Sequence, residues 1–439
     1  MADQLLISGG TVVGPSGTQR ADVLILDGVI AAVGTDLESP EGTTVLDAEG
    51  CWVGPGLVDL HTHLREPGGE EAETIESGCR AAAMGGYTAV VAMPNTIPAA
   101  DSPAVVNLVL TLGRATPIDV MPAGAITVGR LGERLAPMAE MAALGVTIFT
   151  DDGTGVQDAG LMRRAMEYAR GLGVTLAEHC EDESLAGGGC MNESLVSARL
   201  GLPGRPALAE EAMVARDLLL AEDTGCSLHL LHLSTARSVE LLVAARARGV
   251  EATAEVAPHH LTLTEELCAT YDTAFKVHPP LRGETDVQAL RVALAKGDLD
   301  AVATDHAPHP AEAKDRPFDE ASPGMLGLEQ ALALTVEALG GEDADPVRVF
   351  DVLSRAPAAI AGLRAEDPRV GGFSGHGGSI VAGEDANLCV IDHFARPVVD
   401  PARLQSRATN PPYGGRTLLA AVRHTIAKGR AVVIDGELA

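Results

Sequence analysis

The chain is 439 residues long, 46% hydrophobic, and carries a formal charge of -29 at pH 7. That length exceeds one average domain and leaves apolar material for a large core and a second unit, while the charge excludes nucleic acid, whose phosphates such a field repels. No apolar run is long enough to cross a bilayer, and the opening MADQLLISGG has neither the basic nor the apolar region of a secretory signal, so a cytoplasmic location without membrane attachment is expected.

In chain order, the first segments are short and punctuated by glycine. QLLISGGTVVG and ADVLILDGVIAAVG alternate β-branched and turn residues, as do GSIVAGEDANLCVID and VRHTIAKGRAVVIDGELA near the other end. This pattern predicts a small β-sandwich built from both termini, residues 1–54 and 366–439.

Between them, apolar runs alternate with helix-period stretches. The runs are GLVDLHTH, YTAVVAM, IDVMPAG, VTIFTDD, VTLAEHC, SLHLLHLS, VEATAEV and LDAVATDHAPH; the intervening helices include ETIESGCRAAAMG, DAGLMRRAMEYARGLG and a long one over 207–223. Eight such repeats over 55–365 predict an α/β fold, a TIM-type (β/α)8 barrel, whose strands read as continuous apolar runs because both faces are covered. The seven cysteines are scattered without CxxC spacing, which predicts reduced, packed thiols rather than disulfides or a thiolate zinc site.

Active sites of such barrels lie at the C-terminal ends of the strands. Those ends carry His61 and His63 after the first strand, Asp152 after the fourth, His179 after the fifth, His232 after the sixth and Asp305 after the eighth. A lone histidine there is ordinarily a hydrogen-bonded rim residue. Four imidazoles and two carboxylates at one mouth are more than a single structural zinc accepts, so the pattern predicts two zinc ions per subunit, bridged by a carboxylate and a hydroxide.

The motifs VDLHTHLREPG, VAMPNT, FTDDG, AEHCED, LHLST, EVAPHHLTLT, KVHPPLR and ATDHAPH resemble those of the bacterial dihydroorotases, metal-dependent cyclic amidohydrolases of the amidohydrolase superfamily. The likeness runs from about Gly54 to Glu329. It implies a zinc-dependent cyclic amidohydrolase that interconverts N-carbamoyl-L-aspartate and L-dihydroorotate in pyrimidine synthesis. Many superfamily members bridge their metals with a carboxylated lysine, but no lysine precedes Lys276 here, and the resemblance assigns the bridge to Asp152, with Asp151 in reserve.

Carried over residue by residue, the metal ligands are His61, His63, Asp152, His179, His232 and Asp305. Asp305 is the catalytic proton acceptor and donor. His63, Arg65, Asn95, His278, His309, Pro323 and Gly324 contact substrate, with Arg65 pairing the ring carboxylate. His278 stands where the family usually has Asn, and Pro323 where it commonly has Phe. His259 and His260 read as a pair packed behind the ligands, and His229 as structural. The resemblance also implies a small-molecule substrate and a homodimer, and it admits association with an aspartate transcarbamoylase. Two alternatives remain: a hydantoinase or allantoinase, whose substrates lack the ring carboxylate, and a non-catalytic dihydroorotase-like subunit, which would have lost metal ligands.

Overall fold

A computed structural model of the protein describes residues 4–364, 373 and 375–439. Eight short parallel strands lie in chain order: Leu57–Thr62, Tyr87–Ala92, Asp119–Pro122, Ile148–Phe149, Thr175–Glu178, Leu228–Leu230, Ala252–Val256 and Ala301–Val302. The first three form one ladder and the last five another. Two isolated parallel bridges, Gly124 to Phe149 and Thr62 to His306, join these ladders at both seams and close the ring.

Val58, Leu60, Ala89, Val91, Met121, Ile148, Ala177, Leu231 and Ala301 form one buried cluster. Side chains from strands on opposite sides of the ring can meet only inside it, so this is the packed interior expected of a barrel. A second, larger cluster lies between strands and helices, where Val90, Val120, Leu176 and Leu228 meet Cys79, Met162, Leu218 and Leu242.

The helices start and stop where the sequence supplies caps. Ile75–Met84 begins at a reciprocal capping box between Thr74 and Ser77. Ala159–Leu172 begins at Asp158, whose side chain accepts from the Leu161 N–H, and ends at Gly173 in the left-handed conformation. The long helix runs over Ala207–Thr224. No described helix is long and apolar enough to cross a membrane.

Both termini supply a nine-stranded sheet. Its strands lie within Leu5–Pro55 and Leu388–Leu438. The first, Leu5–Gly14, pairs with Thr44–Asp47 along its first half and with Trp52–Pro55 along its second, with a bulge between Ile7 and Gly10. Changing partners at a bulge lets one strand serve two layers, and Ile7, Val23, Ile25, Leu46, Val53 and Val390 fill the small core between them. The boundary expected at 366 lies outside the described residues.

This unit joins the barrel tightly. Trp52–Pro55 belongs to the terminal sheet and Leu57–Thr62 to the barrel, with Gly56 between them. At Gly54 a Cβ would come within 2.2 Å of the Phe350 ring, so only glycine lets the sheet approach the barrel there. All seven cysteines are buried and free.

Candidate metal centre

Strand ends bring the expected side chains together. The first barrel strand shifts register against the second between Asp59 and Thr62, where apolar wall gives way to His61 and His63. His61 Nε2 lies 3.3 Å from Asp152 and 3.6 Å from Asp305. His63 Nε2 lies 3.5 Å from Asp152 and 3.3 Å from Asp305. On the other side, His179 Nδ1 is 3.5 Å and His232 Nε2 3.8 Å from Asp152. The convergent donors fall into two groups, His61 with His63 and Asp152, and Asp152 with His179 and His232. Asp152 belongs to both.

The adjacent Asp151 faces away. Its carboxylate accepts from the backbone N–H groups of Ile126 and Thr127 at 2.9 and 3.0 Å and from the Thr127 hydroxyl, anchoring the loop after the third strand.

Outer partners orient the imidazoles. His61 Nδ1 donates to Glu255 at 2.8 Å, His63 Nδ1 to Asn95 Oδ1 at 2.9 Å, and His179 Nε2 to Glu181 at 3.2 Å. A ring nitrogen that donates outward leaves the other with a lone pair facing inward, the arrangement that prepares histidine to hold a metal. His61 Nε2 is buried with no hydrogen-bond partner. His179 Nδ1 and His232 Nε2 stand 2.9 Å apart, close enough to share one proton or one cation, and His232 Nδ1 is buried without a partner. The donor set therefore fits divalent cations, with Asp152 placed to be shared between two.

The electrostatics agree. Burial opposes charge on His61 and on His179, yet Asp152 with Glu255 and Asp305 holds His61 well above its usual range, and Asp152 with Glu181 raises His179 to about 9. Burial also works against the carboxylates, but the imidazoles around them keep Asp152 and Asp305 below the ordinary range. Positive charge is favoured at this spot.

A cavity of about 260 Å³ opens over the cluster, and its wall includes every residue expected to contact substrate: His63, Arg65, Asn95, His278, His309, Pro323 and Gly324. Arg65 donates through Nε to the Pro308 carbonyl at 3.1 Å. Asn95 gives its oxygen to His63, which leaves its amide N–H groups for the cavity. His309 Nε2 donates to the Pro323 carbonyl at 2.7 Å. The Gly324 N–H donates to the Lys276 carbonyl, and the Gly324 carbonyl accepts from Lys314 at 2.8 Å, so Gly324 contributes shape more than free hydrogen-bonding groups. His278 is half-buried with its Nε2 enclosed and unpartnered, and desolvation pushes it down to about 3, so its ring is neutral. No lysine lines the cavity.

His259 Nε2 approaches Asp305 only to 4.0 Å, and His260 Nε2 donates to the Pro279 carbonyl at 3.1 Å; neither joins a convergent group. His229 is bound by Glu255 at 3.0 Å and Thr253 at 2.8 Å. Sequence reasoning did not single out Glu255, Glu181 or Arg130. Glu181 follows His179 by two residues and could have been noticed; Glu255 is 194 positions from His61, and nothing local announces it.

A family model described as dihydro-orotase-like matches residues 50–238. The chain is 50% identical to a dihydroorotase of Streptomyces coelicolor over 99% of both chains. It is 48% identical to a dihydroorotase of Pelotomaculum thermopropionicum over 98% of this chain and 99% of that one, and 47% identical to one of Mycobacterium tuberculosis over 96% of each. Among solved structures it is similar to an L-hydantoinase from Arthrobacter aurescens, with a TM-score of 0.88 at 25% identity over 100% of this chain and 98% of that one. A D-hydantoinase from a Thermus species gives a TM-score of 0.82 at 27% identity, covering 99% and 96%.

Proposed function

Because the chain belongs to the dihydroorotase family, we propose that it is a dihydroorotase, interconverting N-carbamoyl-L-aspartate and L-dihydroorotate in pyrimidine synthesis through a pair of zinc ions. One observation carries the geometric side of this reading: the cluster in which Asp152 is common to two groups of metal-competent donors opens into the same cavity as Arg65. A hydantoin or allantoin ring has no carboxylate to meet that guanidinium.

His61, His63, Asp152, His179 and His232, with Asp305 beside the first two, would hold two such cations, which would supply Lewis-acid polarisation of an amide carbonyl and acidify water. Arg65 pairs with the substrate carboxylate and fixes which edge of the ring faces Asp152. Asn95, held by His63, donates from its amide to the same end of the substrate. Asp305, kept ionised by its imidazole neighbours, accepts the proton released when the ring carbonyl is attacked and returns it to the departing ring nitrogen. In the closing direction it takes the proton from the ureido nitrogen instead. His278 and His309 line the cavity as neutral rings; burial pushes His309, too, down to about 3.

Metal analysis of the purified protein, with assays of ring opening and closing, tests the reading. The expected result is two zinc ions per chain and turnover of dihydroorotate in both directions. A metal-replete protein active on hydantoin or allantoin but inert toward dihydroorotate overturns it.

A further inference from the structure

The cavity holds a second guanidinium. Arg130 ends the short turn Val128–Arg130 that follows the third barrel strand, and its side chain lines the wall with Arg65. Its Nη2 donates to the Asp152 backbone carbonyl at 2.5 Å, while its Nε is buried with no partner. Neither Arg130 nor Arg65 makes an ion pair with an acidic side chain among the described residues. In a chain with 61 acidic residues against 32 Lys and Arg, two guanidiniums in one cavity with no carboxylate at ion-pairing distance are a provision for an anion from outside.

Backbone strain marks the same place. Ten described non-glycine residues have positive φ, and four of them border this cavity: Arg65 at 59°, Arg130 at 58°, His232 at 32° and Asp305 at 46°. Such conformations cost energy and persist where surrounding contacts enforce them, often at sites of function. For Arg130 the enforcing contacts are visible. Asp151 anchors Ile126 and Thr127, the Arg130 N–H donates to the Thr127 carbonyl at 3.0 Å, and the Thr127 hydroxyl accepts from the Gly132 N–H at 2.9 Å. Of two adjacent aspartates, one fixes the loop and the other's carbonyl fixes the guanidinium.

We infer that Arg130 is a second carboxylate-binding side chain, which shares with Arg65 the anionic end of the substrate and thereby selects rings that carry a carboxylate. This rests on the dihydroorotase reading. With one hydrogen committed to Asp152 and the guanidinium position fixed before substrate arrives, the donors left over meet the anion at little ordering cost.

The test compares Arg130→Gln and Arg130→Lys with wild type as metal-loaded enzymes, measuring kcat and KM for dihydroorotate and competitive binding of its uncharged ring amide. Expected are a ~10–100-fold rise in KM for Arg130→Gln, kcat within about threefold, unchanged metal content and unchanged binding of the amide. Arg130→Lys, which keeps the charge but loses the planar fork, should fall between. KM within twofold of wild type for both variants overturns the inference, as does equal weakening of the charged and uncharged ligands, which marks a structural role. If Arg130→Gln does not fold, Arg130→Lys decides by the same two readouts. A wild-type enzyme inert toward dihydroorotate overturns the dihydroorotase reading instead, so the two failures are distinct.

Discussion

Glu255→Gln probes whether the metal centre depends on a side chain that ligates nothing. Glu255 is buried, and its two oxygens accept separately, one from His61 Nδ1 at 2.8 Å and the other from His229 Nε2 at 3.0 Å. Burial opposes its charge, but the two imidazoles hold its carboxyl down to about 2. The glutamine amide offers one acceptor and one donor to two rings that both donated before. His229 can adapt, moving its proton to Nδ1 and donating to the Thr253 hydroxyl 2.8 Å away. His61 then keeps its Nδ1–H on the amide oxygen and an inward lone pair on Nε2, but without the negative charge that makes that nitrogen more basic. The expected loss is the smaller end of the range for such supporting partners, about tenfold in metal affinity or about 1.4 kcal/mol. Glu255→Ala, which leaves His61 Nδ1 and His229 Nε2 unpartnered, should approach about a hundredfold. Competition against a chelator of known affinity measures both, and excess metal should restore turnover of Glu255→Gln. Metal affinity within twofold of wild type in both variants would refute the orienting role.

Three further expectations follow from the same geometry. Asp305 Oδ1 stands 3.6 and 3.3 Å from His61 and His63 Nε2, and Asp305→Asn keeps an amide oxygen there, so it should retain its metal while turnover falls about 10²–10⁴-fold, the range for removing a general base; near-normal turnover would remove the proton transfer from Asp305. Burial first, and Glu73 beside it, push Glu329 up to about 7 although the Gln405 N–H donates to it at 2.7 Å. A carboxyl raised in the folded state stabilises fully below its unfolded pKa of about 4.5, and that contribution is lost as pH rises through 7, so Glu329→Gln should gain ~1–3 kcal/mol on wild type between pH 5 and pH 8 in urea melts. An equal difference at both pH values would contradict this. Gly54→Ala places a methyl 2.2 Å from the Phe350 ring and should cost ~1–3 kcal/mol, read as a lower Tm; an unchanged Tm would mean that the seam between sheet and barrel is loosely packed.

The amino-acid sequence by itself determined the barrel, because eight apolar runs separated by helix-period stretches leave few other ways to cover a parallel sheet. It also marked the strand ends as the chemical positions, since residues at the C-terminal ends of barrel strands share one rim whatever the loops do. The terminal β-rich segments were legible as strands, but the change of partner along Leu5–Gly14 was not, because a bulge is set by what packs on either side of it. Choosing between Asp151 and Asp152 needed the fold: neighbours on a strand end point to different surroundings, one to the Ile126–Thr127 backbone and the other between four imidazoles. Glu255 and Glu181, which turn ring nitrogens inward, and Arg130, which joins Arg65 on the cavity wall, were decided only in three dimensions. Hydrogen bonds between residues far apart in the chain leave no periodic trace, and an arginine in a glycine-flanked turn looks like any surface cation until the turn is folded over the Asp152 carbonyl.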